Sequence, residues 1–175
     1  MSTATRDNSS TLASRQGVLR ALRTLAIEPS ESLTDLLQAT DKQVGLLRNL
    51  LPGSPENILA QLTRLIPSIM IEHVDSMPVP GVSFWGNGSW KIHIRASDRL
   101  DVQVFAGLHE LKHIIDHPLR RRQPDLLKAG GWEGLADYLA AGVVSWEPNN
   151  STGNRGSPSR EHTLHQSITR MGGLL

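Results

Sequence analysis

Apolar residues recur at helical spacing at both ends of this chain and alternate with polar ones in the middle. Between residues 12 and 27, Val18, Leu19, Leu22, Leu25 and Ala26 line one face, with Arg15, Arg20 and Arg23 on the others, which predicts a helix. Residues 31–51 are rich in leucine and predict one or two further helices. Ser54-Pro55-Glu56 is a helix start, a capping residue followed by Pro at the first helical position, and Ile58, Leu59, Leu62, Leu65 and Ile66 continue that helix to Pro67. Ile69 to Val74 then reads as a strand. Val82 to Trp85 and Ser89 to Ala96 predict a hairpin closed by Gly86-Asn87-Gly88. In its second arm Lys91, His93 and Arg95 alternate with Ile92 and Ile94, so the arm has one wet face, with His93 exposed on it.

From Phe105 to Asp116 the spacing returns to that of a helix, with Phe105, Leu108, Leu111 and Ile115 forming the apolar stripe. Asp98-Arg99-Leu100-Asp101 is expected to cap it. Arg120-Arg121-Arg122, just after Pro118, is expected in a solvated loop, where contact with an acidic substrate or phosphate is the less favoured reading. Gly130-Gly131 should break the chain, and a second helical pattern follows. The ends carry no such periodicity. Residues 1–11 read as a disordered leader and 149–175 as a flexible tail, the stretch from Glu147 to Arg160 being rich in Asn, Ser, Gly and Pro. A short helix over 160–170 would carry His162 and His165, expected as exposed tail residues rather than donors at an active site.

The chemistry sits in the 105–116 helix. His109-Glu110-Leu111-Lys112-His113 places two imidazoles four residues apart, hence on one helical face, the spacing that grips a zinc ion. Glu110, beside the first ligand, is placed to act as general base on a water there. A catalytic zinc takes three protein ligands. His117 continues the series, but it would lie about 12 Å along the axis from His109, too far to share one ion. The metzincin pattern is excluded, because Asp116 and Leu119 occupy the places of its Gly and third His. Glu133 and Asp137, four apart on the following helix, offer a third ligand and a group to accept the free ring N–H of a ligand His. The competing reading of that pair is an ordinary polar face above Leu135, Tyr138 and Leu139.

Composition narrows the choice. The 175 residues include no Cys, which removes thiolate ligands, disulfides and a Cys nucleophile, so any ligands must be His and carboxylate. A net charge of +1 gives no bulk drive toward nucleic acid or membrane. The Ser- and Thr-rich start is not a secretory signal, and no stretch is long enough to span a membrane, so the cytoplasm is the expected location.

Taken together, a strand at Trp90 to Ala96, the motif helix from Phe105 to Asp116, and Glu133-Gly134-Leu135-Ala136-Asp137-Tyr138-Leu139-Ala140-Ala141 resemble the ImmA/IrrE family of zinc metallopeptidases. Pro148 stands near where that family closes its second helix. The resemblance covers roughly residues 56–148. It implies a gluzincin-like site with Zn2+ held by His109, His113 and Glu133, and Glu110 as base. Lys112 stands where the family often has Gly and is expected to face outward. Tyr138 and Leu139 stand around the family's usual Phe, and the segment after Pro148 lacks most of its C-terminal helix.

The expected fold is therefore α+β: a zincin-like peptidase domain over 54–148, with a small sheet and two metal-ligand helices, preceded by an all-α segment at 12–53. Leu33 to Leu37, then Lys42 to Arg48, faintly resemble a degenerate helix-turn-helix, and a plain helical cap is the favoured alternative. The expected partner is a protein or peptide substrate, by analogy a transcriptional repressor, gripped by strand addition along Lys91, His93 and Arg95. DNA is the less favoured partner. The rival expectations are a non-catalytic DNA-binding or partner-binding regulator with a structural or vestigial metal site, or a toxin–antitoxin partner.

Overall fold

A computed structural model describes residues 17–25, 32–51 and 54–145. Among the described residues the fold is α+β, with five helices and one small mixed sheet. In chain order these are α1 (17–25), α2 (Leu33–Leu50), α3 (Pro55–Leu65), β1 (Ile69–Val74), β2 (Gly81–Gly86), β3 (Ser89–Arg95), α4 (Leu100–Arg122) and α5 (Ala129–Val144). Among the described residues no helix is long and apolar enough to cross a membrane. The expected leader, the tail with Pro148, His162 and His165, and the ends of the 12–27 helix lie outside the described residues.

The sheet order is β1-β3-β2, with β1 parallel and β2 antiparallel to β3. Asn87 and Gly88 take positive φ, 53° and 78°, the two left-handed positions of a tight hairpin turn, which Asn-Gly adopts at little cost. On β3 the burial alternates: Trp90, Ile92 and Ile94 face the core, and Lys91, His93 and Arg95 face away. His93 is half-buried rather than exposed, packed edge-on against Phe84 and 3.2 Å from Glu72.

Helix α2 runs unbroken through Thr40 and Asp41, where a helix-turn-helix would need its turn. No Gly or Pro falls between Leu37 and Lys42, where the turn would lie, and Thr40 donates to the Leu36 carbonyl from within the helix. Leu19, Leu22, Val44 and Leu47 enter the same core as Leu62, Ile92, Leu108 and Leu139, so α1 and α2 share one core with the sheet and α4. Gly107 lets α4 approach closely, since a Cβ there would meet the Leu59 side chain at 2.5 Å. Ser54 does start α3, though its hydroxyl turns to Glu56 and makes no bond to the helix N–H groups.

Helix α4 departs from expectation in three ways. Its N-cap is Arg99, without a side-chain cap, because Asp98 pairs instead with Arg95 at 2.9 Å. It continues through Pro118, so Arg120, Arg121 and Arg122 form its last turn rather than a loop. The reason is local chemistry. Pro118 has no N–H to give the Ile114 carbonyl, and Arg23 of α1 donates to that oxygen at 3.1 Å. The basic last turn also complements the helix dipole. Third, Lys112 points inward. It is 1% exposed, and its Nζ donates at 2.9 Å to both Asp116 and Gln43, whose own amide donates to the Leu22 carbonyl. Burial lowers the Lys112 pKa and raises that of Asp116, in each case outweighing the partner's charge. Helix α5 likewise starts earlier than expected, at Ala129. It takes Gly130 and Gly131 into its first turn, where the Gly131 N–H donates to the Lys128 carbonyl at 2.9 Å.

Two stability predictions follow from these contacts. Lys112→Met strands the Asp116 carboxyl and should cost about 3–5 kcal/mol, whereas Lys112→Met with Asp116→Leu should recover most of that loss in urea unfolding. Arg23→Met should destabilise the chain by about 1–3 kcal/mol. In a Pro118→Ala background, where residue 118 supplies its own N–H, the same change should cost markedly less in the same measurement.

Candidate metal centre

Four-residue spacing on α4 puts His109 and His113 on one face, and α5 packs against that face. Helix α5 buries Trp132, Leu135, Ala136, Leu139, Ala140 and Val143, which leaves Glu133 and Asp137 at its margin, turned toward the two rings. The other end of α5 is fixed by Arg48, which donates to the Gly142 carbonyl through Nε at 2.9 Å.

The donor atoms converge. His109 Nε2 and His113 Nε2 are 3.1 Å apart, Glu133 Oε2 is 3.2 Å from His109 Nε2, and Glu133 Oε1 is 3.4 Å from His113 Nε2. Ligands about 2.0–2.1 Å from one tetrahedral ion lie about 3.3 Å from each other. These three side chains thus have the spacing of a ligand set, and they form a group able to hold a metal ion. Asp137 Oδ1 accepts from His109 Nδ1 at 2.9 Å, which keeps the proton on Nδ1 and leaves the Nε2 lone pair facing the group.

Electrostatics separates the two rings. Burial disfavours charge on His109, but the Asp137 hydrogen bond and charge, with Glu110 and Glu133 nearby, more than offset it, and the pKa of His109 is raised. Burial lowers the pKa of His113, and its neighbours His109 and Arg120 act in the same direction against Glu133 and Glu110. A cation would therefore displace a proton from His109 more than from His113.

Glu110 sits one position round the helix, nearly buried, facing β2. Ser83 donates to its Oε2 at 2.7 Å, and Gly81 passes close enough that a Cβ there would lie 3.2 Å from its Cγ. Ser83 was not legible as a site residue, because strand alternation does not say which helix lies opposite. Arg120 was missed as well. Side chains lean toward the helix N-terminus, and Arg120 reaches back two turns to bring Nη1 to 3.3 Å from His113 Nδ1.

His117 does not join the group; it packs edge-on against Trp90 with ring centres 4.9 Å apart. Nor do Lys91, His93 and Arg95. Ser83 and Gly81, which face α4, pair with Ile92 and Ile94, so the three polar residues lie on the opposite face, bound to Glu72 and Asp98. Strand β3 is also central, with its main chain committed on both edges, and cannot accept an added strand. The strand of the hairpin with an outer edge is β2.

No family model, curated protein or solved structure matches this chain.

Asp137→Asn should lower the pKa of His109, read from the pH titration of its ring NMR signals, because the offsetting charge is removed. The same change should weaken zinc binding about 10–100-fold at neutral pH, in a competition titration against a chelator.

Proposed function

We propose that this chain is a zinc-dependent metallopeptidase of the ImmA/IrrE type with a zincin-like fold. The observation that carries the proposal is the mutual spacing of His109 Nε2, His113 Nε2 and the Glu133 carboxylate, at 3.1–3.4 Å. Two His and one carboxylate suit several divalent ions, and the choice of zinc rests on the His-Glu-x-x-His motif. His109, His113 and Glu133 would hold the ion, which supplies Lewis acidity for hydrolysis.

The protein's own groups divide the remaining work. Glu110, steadied by the Ser83 hydroxyl, takes the proton of the attacking water as its oxygen adds to the scissile carbonyl carbon. As the C–N bond breaks, Glu110 returns that proton to the leaving amine. Asp137 holds His109 in the tautomer that presents Nε2. An extended peptide would lie along the outer edge of β2, bonded through its main chain, beside Glu110. A regulatory protein such as a repressor is the substrate class by resemblance alone.

Mass spectrometry of the untagged chain should find about one zinc per chain, lost in His113→Ala. Glu110→Gln should keep the metal and lose at least about 100-fold in peptide hydrolysis. A parent chain that takes up no zinc when it is supplied, or a Glu110→Gln variant as active as the parent, would sink the proposal.

A further inference from the structure

Beyond the ligand group, the last turn of α4 and the start of α5 border an open cleft of about 510 Å3 lined by His117, Arg120, Arg121, Pro124, Leu127 and Trp132. It adjoins the metal centre directly. Arg120 touches His113, and Trp132 precedes Glu133. The lining holds two guanidinium groups and an imidazole and no carboxylate. Among the described residues neither Arg120 nor Arg121 has a carboxylate within ion-pair distance, although four other cationic side chains, Lys91, Arg95, Arg99 and Lys112, are so paired.

A basic last turn of a helix is ordinarily explained by the dipole alone. Arg120 exceeds that explanation. Its guanidinium lies 5.6 Å from the Trp132 ring centre and against His113, so it is held inward, at the boundary between cleft and metal group, rather than spread into solvent. His117 senses the same field: burial and then Arg121, Arg23 and Arg120 hold its pKa down.

Placement relative to the sheet gives the cleft a partner. From Gly81 and Ser83 beside Glu110, β2 leads to Trp85, which packs on Trp90, which in turn packs on His117. A peptide laid along β2 over Glu110 would run on toward this cleft within a few residues.

We propose that the cleft is a specificity subsite for an acidic side chain of the peptide substrate, its carboxylate paired with Arg120 and Arg121. The inference rests on the peptidase reading for its purpose, but its test reads binding rather than turnover. Capped triglutamate and capped triglutamine peptides are titrated calorimetrically into the zinc-supplied full-length chain. Triglutamate should bind about tenfold more tightly, and the preference should shrink in Arg121→Gln and vanish when Arg120→Gln is added. Arg121 is exposed, so its variant keeps the test open if loss of Arg120 from Trp132 unfolds the chain.

Equal affinities for the two peptides would overturn the proposal. So would a preference that survives both substitutions, since that would place the carboxylates on the metal. Inorganic phosphate binding more tightly than triglutamate, with the same arginine dependence, would assign the cleft to phosphate instead and also overturn it. The zinc content of the same samples reports separately on the metal centre, so failure of that reading and failure of this one are told apart.

Discussion

The structure depends on α4 remaining one helix over 23 residues while it carries a buried lysine and a proline. Each of these would ordinarily end or expel a helix, at a cost of about 3 kcal/mol for the proline and several for an uncompensated buried charge. Both are answered from the N-terminal helices. Arg23 of α1 donates to the carbonyl that Pro118 leaves open, and Gln43 of α2 joins Asp116 around the Lys112 ammonium. The first two helices therefore complete the hydrogen bonding of the helix that bears the site. Lys112 and Asp116 turn to α2 while His109 and His113 turn to Glu133 and Asp137 of α5, so different side chains of α4 serve the anchoring and the metal group.

That division explains how a small α+β fold assembles the candidate centre. His109 and His113 look toward α5, Glu110 lies about a quarter of a turn to one side of them toward β2, and Lys112 and Asp116 lie about a sixth of a turn to the other side toward α2. Helix α5 is held by the packing of its apolar face and by the Arg48 bond to its Gly142 carbonyl, and its two acidic side chains at the margin then face the rings. The resulting set has partners at both ends: Asp137 fixes one imidazole from behind, and Arg120 approaches the other.

What could be read from sequence was whatever depends on near neighbours along the chain. The motif helix, its two same-face His residues and the pair Glu133 and Asp137 all follow from a period of 3.6, and the Asn87-Gly88 turn follows from the backbone preferences of those two residues. What escaped depends on distant partners. Lys112 is expected outside because nothing near it announces Gln43, 69 positions away, and Arg120, Arg121 and Arg122 are expected in a loop after Pro118 because Arg23, which completes the helix there, lies 91 positions from Ile114. Lys91, His93 and Arg95 were assigned to a binding edge for the same kind of reason. Alternation shows that they share a face, but only the strand order shows that the strand is central and the face turned away from α4.

The strand order has a consequence for how the chain is made. Strand β1 comes first, yet among the described residues its only neighbour in the sheet is β3, which follows it by the length of β2 and two connections. At a synthesis rate of about 5–20 residues per second, the roughly twenty residues from Val74 to Arg95 keep β1 waiting on the order of 1–4 s after it is complete. Strands β2 and β3, joined by two residues, close on each other within microseconds of being available. During the wait Ile69, Met70 and Ile71 form an unpaired apolar segment, and Glu72 and His73 beside it supply the polar interruption that discourages pairing with another nascent chain. The same Glu72 later becomes the partner of Lys91 and His93, so one residue guards the strand before the sheet exists and fastens its outer face afterwards.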